Sequence, residues 1–400
     1  VQPMADASPP KWHLAHTTWF FETFILKQYL EGYRPFHPQF EYLFNSYYNG
    51  VGEPYPRAAR GHLSRPTVAE VYEYRAYVDE FMTQLLQHVS DQALVDGVTL
   101  GIQHEQQHQE LLLTDLKYNF GHNPLFPAYG GHVEKRSGEL PPIRMRECVG
   151  GLVSIGGPEG FAFDNEHPAH QVFLQDFALA DRLVSNGEYQ DFIEDGGYSR
   201  PDLWLSEGWS WVQEGKLQAP LYWQLKDGAW YEYRLDGLHA LDPELPVVHV
   251  SGHEAFAYAA WANLRLPTEF EWERAAASAP VLGTFVDSGF YHPQGLSTSV
   301  SEIAGAEGNF DSVHVEQSAS IHQLFGDVWQ WTASSYGPYP GYRPLEGTLG
   351  EYNGKFMSSQ LVLRGGSCAT PASHARATYR NFFYPPDRWQ FSGIRLAADV

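Results

Sequence analysis

At 400 residues, 43% of them hydrophobic and 15% aromatic, the chain is globular and longer than a single core usually fills, so two domains are expected. Its 26 Lys+Arg against 48 Asp+Glu give a formal charge of −22 with no basic run, which argues against nucleic acid and anionic membrane surfaces as partners. Two cysteines, Cys148 and Cys368, can build neither a disulfide framework nor a thiolate metal cluster; with no export signal or apolar stretch of ~18 residues evident, a reducing cytoplasm is the expected compartment.

The first third reads as helices. From about Lys11 to Tyr29 the pattern is continuously apolar and aromatic. "SRPTVAEVYEYRAYVDEFMTQLLQHV" opens with Thr67 and, three residues on, Glu70, the signature of a capping box. A third helix is expected from about Asp91 to Tyr118, ending near Gly121. Between the first two lies "YRPFHPQFEYLFNSYYNGVGEPYPRAARGHL", loop chemistry too long for a purely connecting role.

The texture changes from about Cys148. Short β-like runs such as "GGLVSIGG" and "HQVFLQDFALA" alternate with Gly, Pro and Asn clusters, and only "SNGEYQDFIEDGG" and "GHEAFAYAAWANL" stand out as helical. The expectation is an α+β protein of two domains: a helical bundle over 1–122, a linker over 123–147 and an irregular α+β domain over 148–400. No internal repeat or low-complexity tract is evident.

The stretch "GIQHEQQHQELLL" sets His104 and His108 four positions apart, on one face of a helix, whereas Glu110 is turned away from that face. Neutral imidazoles suit Fe, Zn, Cu and Ni alike, so the pair does not choose a metal. Such a pair in a glutamine-rich helix is more often a solvated face than a ligand set. His16 in "KWHLAHTTWFFE" shifts the balance, because nothing else in that apolar helix gives a reason to bury an imidazole. Three histidines on two neighbouring helices match the way bundles build metal sites in their interiors.

"LAH" in the first helix with H-x-x-x-H-x-E in the third resembles DinB-type bundles. "RLPTEFEWERAA", "LFGDVWQWTASSYGPYPGYR", "LVLRGGSCA" and "YRNFFYPPDRWQFSGIRLA" resemble the formylglycine-generating-enzyme (sulfatase-modifying) domain, a C-type-lectin-like fold with little regular structure. In that order, covering nearly the whole chain, they resemble the ergothioneine-pathway sulfoxide synthases. The resemblance implies an enzyme holding non-haem Fe(II) on His16, His104 and His108. It would join a thiol to C2 of the imidazole of Nα-trimethylhistidine (hercynine), oxidising the sulfur to a sulfoxide with O2.

The same resemblance implies the substrate contacts. Gln107 matches a contact to the substrate imidazole, and Arg57 and Arg60 match a pair that fixes the carboxylates of the thiol, a task suited to planar guanidinium forks. Asn381 matches a polar residue facing the quaternary ammonium, with Phe382 and Phe383 offering aromatic faces to that cation. A tyrosine must supply a proton near sulfur and oxygen; Tyr47 and Tyr48 are favoured over Tyr336, Tyr339 and Tyr342 because they share the long loop with the arginines. Where forms using γ-glutamylcysteine carry further charges after the asparagine, this chain is aromatic and proline-rich, which favours free cysteine. The expected site is a cleft between the two domains.

Four other readings stay open on residues alone: an ovothiol-type synthase joining cysteine to C5 of histidine, a DinB-type zinc or nickel thiol transferase, a formylglycine-generating enzyme, and a non-enzymatic binding module. The third needs a reactive cysteine pair, and only Cys368 lies in the relevant motif. Oligomeric state is not legible.

Overall fold

The computed structural model describes residues 1–87, 91–133, 140–296 and 321–400. It divides into two units, one made of Val1–His122 with Arg343–Lys355 and the other of Asn123–Tyr342 with Phe356–Val400. The contiguous division expected from sequence thus differs in two places. A short segment from late in the chain belongs to the helical unit, and the stretch read as a linker is held in the second: the amides of Tyr129 and Gly130 donate to the Leu235 carbonyl at 2.6 and 3.1 Å. Residues 134–139 of that linker, and His88 and Val89 at the end of the second expected helix, lie outside the described residues.

In the helical unit, α1 (Pro10–Phe21) runs into a π-helical turn, Glu22–Leu26, and a last α turn, Lys27–Tyr29. The sequence pattern foretold the span but not the π turn. There Glu22 is buried, its carboxylate accepting from the hydroxyls of Tyr33 (2.7 Å) and Tyr74 (2.8 Å) and from the Phe36 amide (3.0 Å). A buried carboxylate is tolerable only when so satisfied.

Within the long loop the chain forms α2 (Phe40–Phe44) and a 3-10 turn, Arg57–His62. The helix α3 (Val68–Leu86) starts at the expected capping box of Thr67 and Glu70, and its stripe of Val71, Tyr74, Val78 and Met82 is buried. The long α4 (Gln92–Gly121) is capped by the Asp91 side chain, which accepts from Ala93 N.

Two glycines set how closely α4 approaches α1. A Cβ on Gly101 would fall 2.6 Å from the ring of Phe21, and one on Gly97 would fall 2.9 Å from Ile25 Cδ1. Bare backbone at these positions, a turn apart on one face, brings the His104 turn against the His16 turn. Arg75 on α3 ties the third helix in, donating to Glu105 at 2.5 Å.

Among its described residues the second unit contains four small sheets. Antiparallel β1 (Met145–Cys148) and β12 (Ala397–Asp399) flank β4 (Phe177–Ala180); β2 (Gly151–Ile155) and β3 (His170–Leu174) form a hairpin; and β5 (Trp223–Lys226), β6 (Ala229–Arg234) and β7 (Gly237–Ala240) form a meander. The fourth sheet runs in the order β10 (Asn381–Phe383), β9 (Leu361–Arg364), β8 (Trp329–Ser335), β11 (Ser392–Gly393).

Capping boxes at Ser185, Ser251 and Thr268 start α5 (Asn186–Glu194), α7 (Gly252–Trp261) and α8 (Glu269–Ala276). Helices α6 (Ser206–Gly215), which has no side-chain cap, and α8, which has one, lie outside the two helical patterns expected from the sequence of this domain. Trp272 from α8 packs with Phe177, Leu179 and Phe325 in the core. In "RGGSC", Gly365 has φ +103 and a Cβ there would meet the Leu324 carbonyl oxygen at 2.5 Å, so the motif needs glycine at that place. Among the described residues no helix is long and apolar enough to cross a membrane.

Candidate metal centre

Helix α1 presents Trp12, His16 and Trp19 along one stripe. The His16 ring stacks between the two indoles, its centroid 4.6 Å from Trp12 and 5.4 Å from Trp19, with interplanar angles of 12° and 17°. This packing leaves the imidazole fully buried. Its Nδ1 lies 2.6 Å from the carbonyl oxygen of Phe44 at the end of α2. Only an N–H can make that bond, so the proton resides on Nδ1 and the Nε2 lone pair is free to face inward. The long loop therefore contributes directly to the centre by fixing this tautomer.

Nε2 of His16 lies 3.2 Å from Nε2 of His104. Two nitrogens at right angles about an ion 2.0–2.1 Å from each would be roughly 3 Å apart, so this edge has the dimension of a shared coordination sphere. The His108 ring completes the cluster, its centroid 4.6 Å from each of the other two. One ligating nitrogen from each of the three can be chosen so that all lie within 4.8 Å of one another.

The electrostatics agree with a metal site. Burial pushes the His104 pKa down to about 3. Burial and then the neighbouring imidazoles push His16 and His108 well below the ordinary histidine value. All three rings are thus neutral at pH 7, the form that binds metal. Among the described residues the buried Nδ1 of His104 has no hydrogen-bond partner, so that atom's desolvation is not offset by a hydrogen bond there. The donor set fits a borderline transition-metal ion such as Fe(II).

Gln107 lies directly before His108, and its Oε1 accepts from the hydroxyl of Tyr352. Tyr352 is buried, with its ring edge-on to His104 at 5.8 Å. It follows a 3-10 turn, Gly347–Glu351, in the late segment that joins the helical unit. Glu351 pins this segment by accepting from the amides of Asn49 (3.0 Å) and Gly50 (2.8 Å) and from Lys355 (2.8 Å). Residue-type reasoning missed Tyr352, since no local pattern marks a tyrosine that reaches the histidines only through the fold.

The favoured tyrosines occupy the neighbouring turn. Tyr48 is fully buried and its ring packs against Phe24 and Trp19 at 5.0 and 5.7 Å. Its hydroxyl is 3.5 Å from that of Tyr47, and burial, followed by the charges of Tyr47 and Tyr352, raises its pKa well above the usual phenol value. Tyr47 is half-buried, with the Lys355 ammonium 5.1 Å from its ring centroid.

The two arginines differ. Arg57 is exposed and donates to the Asp6 carbonyl through Nε at 3.0 Å. Arg60 is buried over Trp12, its guanidinium carbon 3.4 Å from the ring centroid, so that cation, indole and His16 form one stack. It donates to the hydroxyls of Ser8 (2.9 Å) and Ser46 (3.3 Å), while its Nε has no partner among the described residues, and burial lowers its pKa to about 9. A buried cation whose hydrogen bonds among the described residues go to two neutral hydroxyls is suited to receiving an anion.

In the second unit, Asn381 opens β10 and its Oδ1 accepts from the Phe382 amide at 2.9 Å. Phe382 stacks on Tyr336 at 4.1 Å and 10°, and Phe383 stands edge-on to Trp389 at 5.8 Å. All three residues are half-buried, so neither phenylalanine is sealed in the core. Among the described residues neither Cys148 nor Cys368 is in a disulfide, and burial raises the Cys148 pKa, opposite to what a reactive thiolate needs.

Residues 140–400 match the sulfatase-modifying factor enzyme 1-like domain. The formylglycine-generating enzyme of Thermomonospora curvata is 28% identical over 68% of this chain and 99% of its own length. Coverage is broader with two proteins named hercynine oxygenase. That of Mycolicibacterium thermoresistibile is 33% identical over 98% of this chain and 88% of its own. That of Mycobacterium tuberculosis is 33% identical over 98% of this chain and 91% of its own. Likeness at this level embraces the histidine-bearing helices as well as the sulfatase-modifying part, and the chain belongs to the hercynine oxygenase family.

Proposed function

We propose that this protein is a hercynine oxygenase: an Fe(II)- and O2-dependent sulfoxide synthase that joins the sulfur of cysteine to imidazole C2 of Nα-trimethylhistidine in ergothioneine biosynthesis. The thiol loses its S–H proton, the imidazole its C2–H, and O2 delivers one oxygen to sulfur and leaves the other as water. The observation that carries this reading is the packing of three neutral imidazoles beside the Tyr352–Gln107 hydrogen bond. The helical unit is proposed to be of DinB type, and the cytoplasm, where both thiols stay reduced, to be the compartment.

His16, His104 and His108 would hold the ion. When bound, Fe(II) on three uncharged ligands would supply a site for the thiol as thiolate and a route for electrons to O2. Arg60, buried and hydrogen-bonded among the described residues to hydroxyls, is proposed to orient the carboxylate of the thiol substrate, with Arg57 nearby on the same 3-10 turn. Gln107 is proposed to orient the substrate imidazole, and Asn381, Phe382 and Phe383 to face the trimethylammonium group.

The proton-holding tyrosine in this reading is Tyr352, ahead of Tyr47 and Tyr48. Its hydroxyl, anchored on Gln107, keeps a proton at Oη beside the metal ligands, whereas the Tyr48 hydroxyl lies beside that of Tyr47. Incubation with Fe(II), air, trimethylhistidine and either cysteine or γ-glutamylcysteine tests the assignment. NMR should find sulfur on C2 and a sulfoxide, with cysteine the better thiol. Sulfur on C5 of unmethylated histidine would favour the ovothiol-type reaction instead, and uptake of neither thiol would remove the proposal.

A further inference from the structure

A fourth imidazole lies against the proposed metal ligands. His13, one turn before His16 on α1, is buried. Its Nε2 is 3.0 Å from Oδ2 of Asp115, a buried carboxylate on α4 that also accepts from the Ser8 amide at 2.7 Å. Its Nδ1 is 2.9 Å from Nδ1 of His108.

These contacts fit one arrangement of donors and acceptors. With the Nε2–H of His13 donated to the carboxylate of Asp115, Nδ1 of the same ring offers its lone pair to His108. The contact with His108 then requires the proton of His108 to be on Nδ1. Its Nε2 is left bare and directed away from His13. We infer that His13, anchored by Asp115, is a positioning residue for His108, fixing both the ring orientation and the tautomer of that metal ligand. This rests on the three-histidine centre proposed above.

The same reasoning gives a consequence for affinity. A ligand imidazole that donates its distal N–H to a fixed acceptor is a better donor to the metal, and removing such a partner typically costs about 10–100-fold in affinity. The arrangement parallels that of His16, whose Nδ1–H is taken by the Phe44 carbonyl. Ser8 extends the network, since its hydroxyl accepts from Arg60 while its amide donates to Asp115.

Anaerobic Co(II) titration of the full chain tests the inference, with affinity and the visible d–d spectrum as readouts beside the thermal midpoint of the metal-free protein. His13→Phe keeps a ring and removes both nitrogens; His13→Asn keeps an acceptor close to the Nδ1 position. Expected is a loss of about 10–100-fold in Co(II) affinity and a shifted spectrum for His13→Phe, with most of the affinity restored in His13→Asn. Affinity and spectrum unchanged in His13→Phe would overturn the inference while leaving the metal centre standing. So would a His13→Asn protein that folds but binds no better than His13→Phe. Failure of the unsubstituted protein to bind Co(II) would overturn the metal centre itself, and the role of His13 with it.

Discussion

Nε2 of His16 and Nε2 of His104 face each other at 3.2 Å in the interior of the helical unit. One is aimed by a backbone carbonyl and two flanking indoles, and the other arrives on a helix drawn close by glycine. Removing either ring should empty the centre without dismantling the bundle, because the surrounding aromatic packing remains. In His104→Ala, bound Fe(II) should fall from about one per chain to near none, measured by metal analysis after anaerobic loading, with the far-UV spectrum unchanged. Retention of full iron would show that the histidines are core residues only.

Gly101 tests the approach of the helices. The Cβ of Gly101→Val would enter the Phe21 ring, and the remaining bulk could be accommodated only by separating α4 from α1. Overpacking of this kind costs about 1–3 kcal/mol. Urea unfolding should show that loss, and metal titration should show weakened binding because His104 moves with its helix. Normal metal affinity in a destabilised Gly101→Val protein would uncouple the glycine from the site.

Acid should destabilise the metal-free fold. The buried histidines have folded pKa values below the unfolded value near 6.5, with His104 at about 3. The unfolded chain therefore binds more protons between those limits. Stability is fully present above pH ~6.5 and declines as pH falls toward 3, by up to about 1.4 kcal/mol per pH unit for each such group. Urea midpoints between pH 7.5 and 5 should fall, and His104→Gln should shallow the slope by close to one proton. An unchanged slope would contradict the assignment of a buried, neutral His104.

Tyr352→Phe removes one hydroxyl and leaves the ring against His104. Metal affinity should hold within a few-fold, while the rate of sulfoxide formation drops by about 100-fold or more, as expected when a positioned proton donor is lost. Tyr47→Phe and Tyr48→Phe should have smaller effects on that rate. The opposite order would return the role to the loop tyrosines.

How much of this was legible in the sequence depended on whether the signal was local. The i, i+4 spacing of His104 and His108, the lone His16 among aromatics, and the capping box at Thr67 are patterns one helix long, and the fold has a counterpart for each. His13 was in plain view in "KWHLAH", but its tie to Asp115 and His108 spans two helices and appears only after packing. Tyr352 and Glu351 belong to a late segment that joins the helical unit, contrary to the assumption of contiguous domains. The burial of Arg60, unlike the exposure of Arg57, follows from the turn that sets one guanidinium over Trp12 and the other toward Asp6.

Oxygen consumption by the Fe(II)-loaded protein tests the central claim most directly. With trimethylhistidine and cysteine together, one O2 should disappear for each sulfoxide formed; with either substrate alone, or in His104→Ala, uptake should stay at background. Uptake driven by the thiol alone, or no uptake with both substrates present, would contradict an oxidative carbon–sulfur coupling at this centre.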